Sequence, residues 1–565
     1  MTARRIKLLT MLMVSALCIA LAGHAQQDAP ARSVRRSASS SQAKSPAKGQ
    51  AKSHTNSSAV DPDGCRACHA AEVDGYALSA MSHSMRAGGQ EPAGEVKAAG
   101  STIVATSSTA GSEQRLERDG AADAFRVDYV VGSGNHASGY LVDLSNHLFQ
   151  SPIAYYKSQH AYGLAPGYEN QSDPDFTRPV TAGCLFCHAG ASDHVAGTQN
   201  EYASPPFSHL AIGCSRCHGS AESHLHDPQP GTIVNPAKLQ GAARDSICEQ
   251  CHLMGVARVL NPGKQFSDFK PGAPLESTFT VYRNTLPPGE TAKFKVISHA
   301  EQLALSKCAR NSGGRLWCGT CHDPHADPVQ PAAYYRTKCL TCHNAAFSAP
   351  HPSAASNCIG CHMPRRDAKD GGHTAFTDHR IQSRPEPEDA TLQEAGISAW
   401  REPSDDLRER NLGIASIEVG IERQSPALLV GGYRMLTDVQ KPFAEDAEIF
   451  TAMGGALLLG KQYSEAQAAY ARALELEPNS AQKETDMGQA YASAGQFDLA
   501  VRHLEDAMAK DALNLPAAAL LLNIYQQQGE TAKAAALASR IHEAMQSAPA
   551  SSFRQAAAPG ARPAH

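Results

Sequence analysis

The chain has 565 residues, which is long enough for two or more domains. Its 51 Lys and Arg residues and 56 Asp and Glu residues give a formal net charge of -5, so the composition lacks the basic signature of a nucleic-acid-binding protein and we expect no nucleic-acid partner. Aromatic residues make up 6% of the chain, which is sparse for this length.

The N-terminus has the three parts of a secretory signal peptide. Basic Arg4 and Arg5 precede an apolar run from Leu8 to Leu21, and Ala25 supplies the small residue that a signal peptidase needs. We therefore predict a signal peptide over residues 1–25 and a periplasmic or otherwise exported protein. No later stretch approaches the roughly 20 apolar residues of a membrane-spanning helix, so we expect no transmembrane segment in the mature chain.

Residues 26–60 consist mainly of Ser, Ala, Gln, Lys and Arg. Such a segment has too little apolar surface to offset the entropy lost on ordering, and we predict a disordered linker.

The region 61–381 contains Cys-x-x-Cys-His seven times, and this spacing is typical of c-type haem attachment. Each pair of thiols would bind one haem covalently, and the adjoining histidine would bind its iron from one side. The cofactor prediction is therefore seven covalent haem c groups. The predicted haem-binding cysteines are Cys65, Cys68, Cys184, Cys187, Cys214, Cys217, Cys248, Cys251, Cys318, Cys321, Cys339, Cys342, Cys358 and Cys361. The predicted proximal ligands are His69, His188, His218, His252, His322, His343 and His362.

Zinc sites and redox dithiols also use Cys-x-x-Cys. A zinc site would need the pairs to combine two by two, and it would not explain why a histidine follows every second cysteine. We therefore favour haem. Of the other two cysteines, Cys18 falls in the signal peptide and Cys308 is expected to be a small buried side chain rather than a ligand.

The second axial position of each iron decides between electron transfer and catalysis, because an open position can bind substrate. Thirteen non-motif histidines fall in the region, and methionines such as Met81 or Met363 could ligate instead. The distal candidates are His83, His136, His209, His224, His299, His325, His373 and His379. There are enough histidines to supply a second ligand to every iron, so we expect mostly bis-histidine haems.

Little sustained helical or strand period is visible between residues 61 and 381. Runs over 126–131 and 139–142 flank a Gly-Ser-Gly turn and predict a small hairpin. The expected fold is mainly α: a domain packed around haems with little regular structure and a small β element, followed by an α-solenoid.

Residues 382–403 are predicted to be a polar linker, and residues 404–545 show the tetratricopeptide pattern. Gly488 repeats Gly454, and Ala500 repeats Ala466, at the spacing of that repeat. A third, weaker unit follows these two, and a degenerate helical pair is expected to precede them. Residues 546–565 are predicted to be a disordered tail. The repeats would either stabilise the haem region by packing or dock a redox partner protein, and the sequence leaves both roles open.

The chain resembles the bacterial multihaem cytochromes c that carry doubled Cys-x-x-Cys-His units followed by tetratricopeptide repeats. The resemblance covers about residues 61–545 and is carried by stretches such as 212–219, 248–253, 321–325 and 373–380. The chain is similar, more distantly, to the tetrahaem electron carriers of nitrifiers and to multihaem hydroxylamine and nitrite oxidoreductases. As iron ligands the resemblance implies His83, His209, His224, His325, His373 and His379.

The sequence leaves three functions open. The first is an exported electron carrier with about seven covalent haems and a repeat domain that docks a redox partner protein. The alternative is an oxidoreductase that acts on a small nitrogen or sulfur species at one haem with an open axial site. Whether the chain is an enzyme stays open, and the carrier is favoured because no motif departs from Cys-x-x-Cys-His. A scaffold with structural or sensory haems is a third possibility.

Overall fold

The structure is a computed structural model that describes residues 64–169, 171, 173–285, 299–343, 357–367, 375–383 and 396–546. The predicted signal peptide, the 26–60 linker, the candidate ligand His373, most of the 546–565 tail and much of the 382–403 linker lie outside these residues.

Helices occur throughout the described chain, short in the N-terminal half and longer in the C-terminal half. The α-helices are α1 (Ala70–Tyr76), α2 (Ala182–His188), α3 (Ser215–His218), α4 (Glu222–His226), α5 (Gly241–His252), α6 (His299–Leu305), α7 (Lys307–Asn311), α8 (Cys318–Cys321), α9 (Pro331–Leu340), α10 (Cys358–His362), α11 (Asp405–Glu422), α12 (Pro426–Val439), α13 (Ala447–Leu459), α14 (Tyr463–Leu476), α15 (Ala481–Ser493), α16 (Phe497–Lys510), α17 (Leu515–Gln527) and α18 (Thr531–Gln546). Short 3-10 helices lie at Cys65–Ala67, Met81–His83, Pro236–Lys238, Phe266–Asp268 and Leu275–Ser277.

The strands, in chain order, are β1 (Met85–Ala87), β2 (Gly94–Ala98), β3 (Ser101–Ser108), β4 (Gly111–Arg118), β5 (Ala121–Arg126), β6 (Tyr129–Val131), β7 (Ala137–Leu144), β8 (His147–Gln150), β9 (Ile153–Tyr156), β10 (Ala161–Leu164), β11 (Arg178–Pro179), β12 (Ala191–His194), β13 (Tyr202–His209), β14 (Ala257–Leu260), β15 (Phe279–Thr285), β16 (Arg365–Asp367), β17 (Ala375–Thr377) and β18 (Gly396–Ala399). They form sheets of seven, four, three, two and two strands. The prediction of a mainly α fold, in which a haem-packed domain with little regular structure and a small β element precedes the solenoid, is therefore wrong.

The four-stranded antiparallel sheet β2–β5 shows why the sequence concealed these strands. Its inward positions alternate as expected, but Ser101 and Gln114 share them with Ile103 and Leu116, so the apolar period of two is broken. The turn between β4 and β5 is Asp-Gly at residues 119–120, both with positive φ, which is a favoured hairpin turn. Small and polar residues thus form a sheet whose register is fixed largely by its turns.

The seven-stranded sheet contains the hairpin predicted from the sequence. Strands β6 and β7 pair antiparallel, with Tyr129 opposite Leu141 and Val131 opposite Gly139, so that prediction is confirmed. The hairpin is the middle of a larger sheet rather than an isolated element, because β1 pairs with β6 while β8 and β9 both pair with β7.

The C-terminal helices are antiparallel pairs with the predicted period. Helices α13, α15 and α17 begin at Ala447, Ala481 and Leu515, and their partners α14, α16 and α18 follow with the same regular offset. This offset is the tetratricopeptide spacing. The repeated alanines are buried, with Ala466 and Ala500 at 0% exposure. The predicted helical pair before them is present as α11 and α12, so the repeat prediction is confirmed at the level of its helices.

The repeat helices pack against the N-terminal sheets. Val142 and Phe149 of the seven-stranded sheet share one apolar cluster with Leu521 and Ile524 of α17. At the other end, Ala257 and Val259 of β14 share a cluster with residues of α11 and α13. The packing role of the repeats is therefore directly visible. Strand β18, inside the predicted 382–403 linker, pairs with β15 and helps to form that contact.

No helix in the described parts of the chain is long and apolar enough to cross a membrane.

Candidate functional site: the Cys-x-x-Cys-His clusters

Each described motif occupies about one turn of helix. In four of them the backbone N–H of the histidine donates to the carbonyl of the first cysteine at 2.9 Å, namely His69 to Cys65, His218 to Cys214, His322 to Cys318 and His343 to Cys339. One helical turn brings residues i and i+3 or i+4 to the same face. The two thiols and the imidazole can therefore contact a single planar group.

The structure describes fifteen cysteines and joins no two of them in a disulfide. Thiols of different motifs nevertheless lie together, since Cys187 interacts with Cys251 and Cys248 interacts with Cys318. These thiol contacts, together with burial, raise the pKa of Cys251 and of Cys248, so neither is a thiolate at neutral pH.

A zinc site needs at least three converging protein ligands. Among the residues that the structure describes, the group of three or more metal-ligating side chains that converges is His147, Glu201 and Asp511, which contains no cysteine. The described motif cysteines therefore do not combine into the four-ligand sites that the zinc interpretation requires.

The motif histidines are paired with histidines from elsewhere in the chain. The ring centroids of His69 and His224 are 6.3 Å apart, with an angle of 26° between the ring planes. Three such pairs have similar distances between their ring centroids: His69 with His224 at 6.3 Å, His218 with His325 at 6.0 Å, and His322 with His379 at 6.2 Å.

This spacing matches two imidazoles on opposite sides of one iron. An imidazole nitrogen binds a first-row metal at about 2 Å and its ring centroid lies about 1 Å farther out, so two trans ligands have centroids about 6 Å apart. The sequence had proposed all three partner histidines as distal candidates, and the structure brings each beside a different motif histidine.

A fourth motif histidine, His252, lies near His299 with centroids 5.3 Å apart. His299 also contacts His379 at 4.7 Å. The Nδ1 atom of His299 is buried without a hydrogen-bond partner, which is costly unless another group satisfies it. A metal at this cluster would supply that missing partner.

Backbone carbonyls fix the tautomer of several of these imidazoles. Nδ1 of His218 lies 2.8 Å from the carbonyl oxygen of Val234, and Nδ1 of His379 lies 2.9 Å from that of Thr377. A carbonyl can only accept, so Nδ1 carries the proton and Nε2 keeps a lone pair. Metal-ligating histidines are held in this way. His362 makes the same kind of bond, at 2.8 Å, to the carbonyl of Gln382.

Burial keeps five of the buried imidazoles neutral. It lowers the pKa of His252, His218 and His322, and it lowers that of His379 to about 4 and that of His299 to about 3, with neighbouring histidines adding to the shift in His299. A neutral imidazole is the form that ligates a metal.

Two other distal candidates lie near the second motif. Nδ1 of His83 lies 3.0 Å from the carbonyl of Ser79, and the hydroxyl of the next residue, Ser84, donates to the carbonyl of His188 at 3.0 Å. His209 lies opposite Ala191, just after the same motif, in the β12–β13 pair.

His136 lies beside the pair of strands that follows the seventh motif. Its ring packs on Phe376 with centroids 5.0 Å apart, in the β16–β17 hairpin that follows that motif. The remaining candidate, His373, lies outside the described residues.

The pairing has a regular order along the chain. His69 of the first motif lies beside His224, which follows the third motif. His218 of the third motif lies beside His325, which follows the fifth. His322 of the fifth motif lies beside His379, which follows the seventh. Each of these odd-numbered motifs therefore contacts the segment that follows the next odd-numbered motif. Tyr76 of α1 also joins the segments of the first and third motifs, because its hydroxyl donates to the carbonyl of Ile212 at 2.8 Å.

Sequence reasoning missed the groups that orient the histidines. Val234, Gln382 and Thr377 act through backbone carbonyls, which no side-chain pattern marks. Thr232, whose hydroxyl lies 2.9 Å from Nδ1 of His224, is a side chain but has no distinguishing spacing.

No protein-family model matches the chain, and no curated protein matches it. Among solved structures, the "Crystal structure of MamA" is 19% identical at a TM-score of 0.23 and covers 25% of this chain and 78% of that chain. A second structure, "MamA MSR-1 C2", is 18% identical at a TM-score of 0.22 and covers 25% of this chain and 76% of that chain. At these TM-scores the likeness carries no conclusion about this protein.

Proposed function

We propose that the protein is an exported c-type cytochrome that carries electrons through seven covalently bound haems. The observation that supports this most strongly is the set of three imidazole pairs, at 6.3, 6.0 and 6.2 Å, each of which joins a motif histidine to a histidine outside the motifs. Two protein ligands per iron are typical of electron-transfer haems.

The residues have distinct roles in this proposal. When bound, haem supplies reversible one-electron redox chemistry. The two motif thiols would form the thioether bonds that fix its position, and the motif histidine would bind the iron. His224, His325 and His379 would supply the second protein ligand at the first, third and fifth motifs, while carbonyl groups such as that of Val234 orient the imidazole rings.

For two of the remaining motifs we propose ligands by proximity. His299 is assigned to the fourth motif because it lies 5.3 Å from His252, and His83 to the second because Ser84 contacts His188. The contacts between thiols of the second and fourth motifs, and of the fourth and fifth, support a continuous path between neighbouring sites.

The proposed partners are redox proteins, and the repeat domain restricts where they bind. Helices α11 and α17 already pack on the chain's own sheets, so part of the repeat surface is used within the molecule. We propose that a partner docks on the repeat surface that those sheets leave uncovered, and that the packing role is the principal one.

Spin state tests the carrier proposal. If each iron has two protein ligands, the ferric and ferrous proteins are low-spin and bind carbon monoxide poorly. A stoichiometric high-spin haem that turns over nitrite or hydroxylamine would overturn the carrier in favour of an oxidoreductase.

A further inference from the structure

Three side chains from separate segments converge where the repeat domain meets the sheets. They are His147 of β8, Glu201 just before β13, and Asp511 just after α16. Nε2 of His147 lies 2.8 Å from Oδ1 of Asp511 and 3.9 Å from Oε2 of Glu201. One ligand atom from each lies within 4.8 Å of the others.

The tautomer of His147 makes this contact unusual. Its Nδ1 lies 2.9 Å from the carbonyl of Ser145, which can only accept, so Nδ1 carries a proton. In the neutral ring Nε2 then has a lone pair facing the carboxylate of Asp511. Two electron-rich atoms at hydrogen-bonding distance repel each other unless a proton or a cation lies between them.

A proton alone would leave Asp511 incompletely satisfied. The side chain is fully buried, and although Oδ1 also accepts from the N–H of Leu513 at 3.1 Å, Oδ2 has no hydrogen-bond partner. An ionised carboxylate oxygen without a partner in the interior is strongly unfavourable. A proton shared with His147 does not satisfy Oδ2, whereas a cation that both oxygens approach does.

We propose that His147, Glu201 and Asp511 form a divalent-cation site, selective for zinc-like ions, that ties the repeat domain to the seven-stranded sheet. One imidazole with two carboxylates is a ligand set for Zn²⁺, while Mg²⁺ and Ca²⁺ prefer oxygen alone. The two carboxylate charges balance the charge of the ion. Ligand atoms about 2 Å from a tetrahedral zinc lie about 3.3 Å apart, between the two distances observed.

The surroundings fit a structural ion with one accessible side. His147 is 3% exposed and Glu201 is 29% exposed, so the ion would enter past Glu201 and could keep a water there. The carbonyl of Ser145 orients the imidazole, and the hydroxyl of Ser145 donates to the carbonyl of Ala544 in the last helix. The site therefore lies on a seam that joins residues distant in sequence, and none of its ligands belongs to a Cys-x-x-Cys-His motif.

The test uses the full-length protein with its covalent haems, stripped with a chelator and titrated with Zn²⁺ alone. Bound zinc is counted by elemental analysis against iron. We expect one tight zinc per chain, lost in Glu201→Gln and Asp511→Asn, each with a Kd weaker by about tenfold or more. His503→Gln is the matched control, since His503 pairs with a carboxylate in the repeats, 2.8 Å from Glu484, outside the cluster.

X-ray absorption at the zinc edge identifies the ligands without interference from iron. We expect only nitrogen and oxygen neighbours at about 2.0 Å, and a sulfur neighbour at about 2.3 Å would assign the zinc to cysteines and overturn the proposal. Equal zinc binding by the wild type and Glu201→Gln would overturn it too, and would leave His147 and Asp511 as a protonated ion pair. Glu201 is partly exposed, so this variant decides the matter even if Asp511→Asn fails to fold.

Discussion

The imidazole rings of His218 and His325 lie with their centroids 6.0 Å apart, although the two residues are distant along the chain. The carbonyl of Val234 fixes the Nδ1 proton of His218, and burial keeps that ring neutral by lowering its pKa. The proposed haem iron between the two rings would account for their spacing, and the tautomer and neutrality of His218 leave its Nε2 able to bind that iron.

Replacing His224 with Ala should open one axial position. His224 faces His69, so the variant should convert one haem of seven to a high-spin form that binds carbon monoxide. The matched control is His226→Ala, because His226 lies on the same short helix and is exposed. Electron paramagnetic resonance and carbon monoxide difference spectra measure the change. Equal spectra for the two variants would refute the assignment of His224.

Replacing Arg410 with Met should weaken the contact between the repeats and the β14 sheet. The guanidinium is 1% exposed, binds Asp446 at 2.8 Å and donates to the carbonyl of Leu260. Removing one partner leaves a buried charge unpaired, so we expect a loss of about 3 to 5 kcal/mol in the free energy of unfolding.

Arg408→Met is the control for that prediction. Arg408 is on the same helix but is 49% exposed, and its ion pairs with Glu402 and Asp405 lie at the surface. We expect a change below about 1 kcal/mol by chemical denaturation. Similar losses in both variants would show that the Arg410 network does not hold the two regions together.

Gly488 allows the helices of one repeat unit to approach closely. A Cβ at this position would lie 2.6 Å from Cγ of Leu504 in the partner helix. Gly488→Ala should therefore destabilise the protein by about 1 to 3 kcal/mol, despite the better helix propensity of Ala. Gly431→Ala, where nothing lies within 4 Å, should instead be neutral or stabilising by up to about 1 kcal/mol. Thermal unfolding should show a clear loss for Gly488→Ala alone, and equal losses in the two variants would contradict the packing.

Glu484 should contribute an acid-sensitive part of the stability. Burial raises the pKa of Glu484, but hydrogen bonds from His503 and Lys510 outweigh burial and hold it below its ordinary value. A depressed pKa stabilises the folded state above the unfolded value, and the contribution is lost as the pH falls through the folded value.

Glu484→Gln should accordingly lower the free energy of unfolding by roughly 1 to 3 kcal/mol near neutral pH. The variant should also lack the loss of stability that protonation of Glu484 causes at acidic pH. Glu475→Gln is the control: the Glu475 side chain is 66% exposed and pairs with Arg472, so this variant should change the free energy of unfolding little. Denaturant midpoints from neutral to acidic pH measure both. A wild type and a Glu484→Gln variant with parallel pH profiles would rule out this contribution.

The sequence predicted the repeats well because their geometry is local. The tetratricopeptide period places Ala466 and Ala500 where the two helices of a unit touch, and both are fully buried. The sequence predicted the β-rich half of the chain poorly. The strands there bury Ser101, Gln114 and Arg118 beside apolar residues, so their alternation has little hydrophobic contrast. The Asp119-Gly120 turn is a local hairpin signal within this half of the chain.

The candidate site likewise combines residues that a local sequence pattern identifies with residues that only the folded chain brings together. Spacing alone identifies the seven motifs, because attachment needs two thiols and an imidazole on one turn. The histidines that face them come from distant segments, as His325 does for His218, so their identity depends on the folded chain. The convergence of His147 with Asp511 also has no local pattern.

The mass of the intact mature protein, measured after acid and organic extraction, tests the central proposal most directly. Extraction removes haem that is held only by its axial ligands, whereas thioether bonds survive. The account predicts a mass that exceeds the processed polypeptide by seven haems, one for each Cys-x-x-Cys-His motif. A mass equal to that of the processed polypeptide alone, with no haem attached, would contradict it.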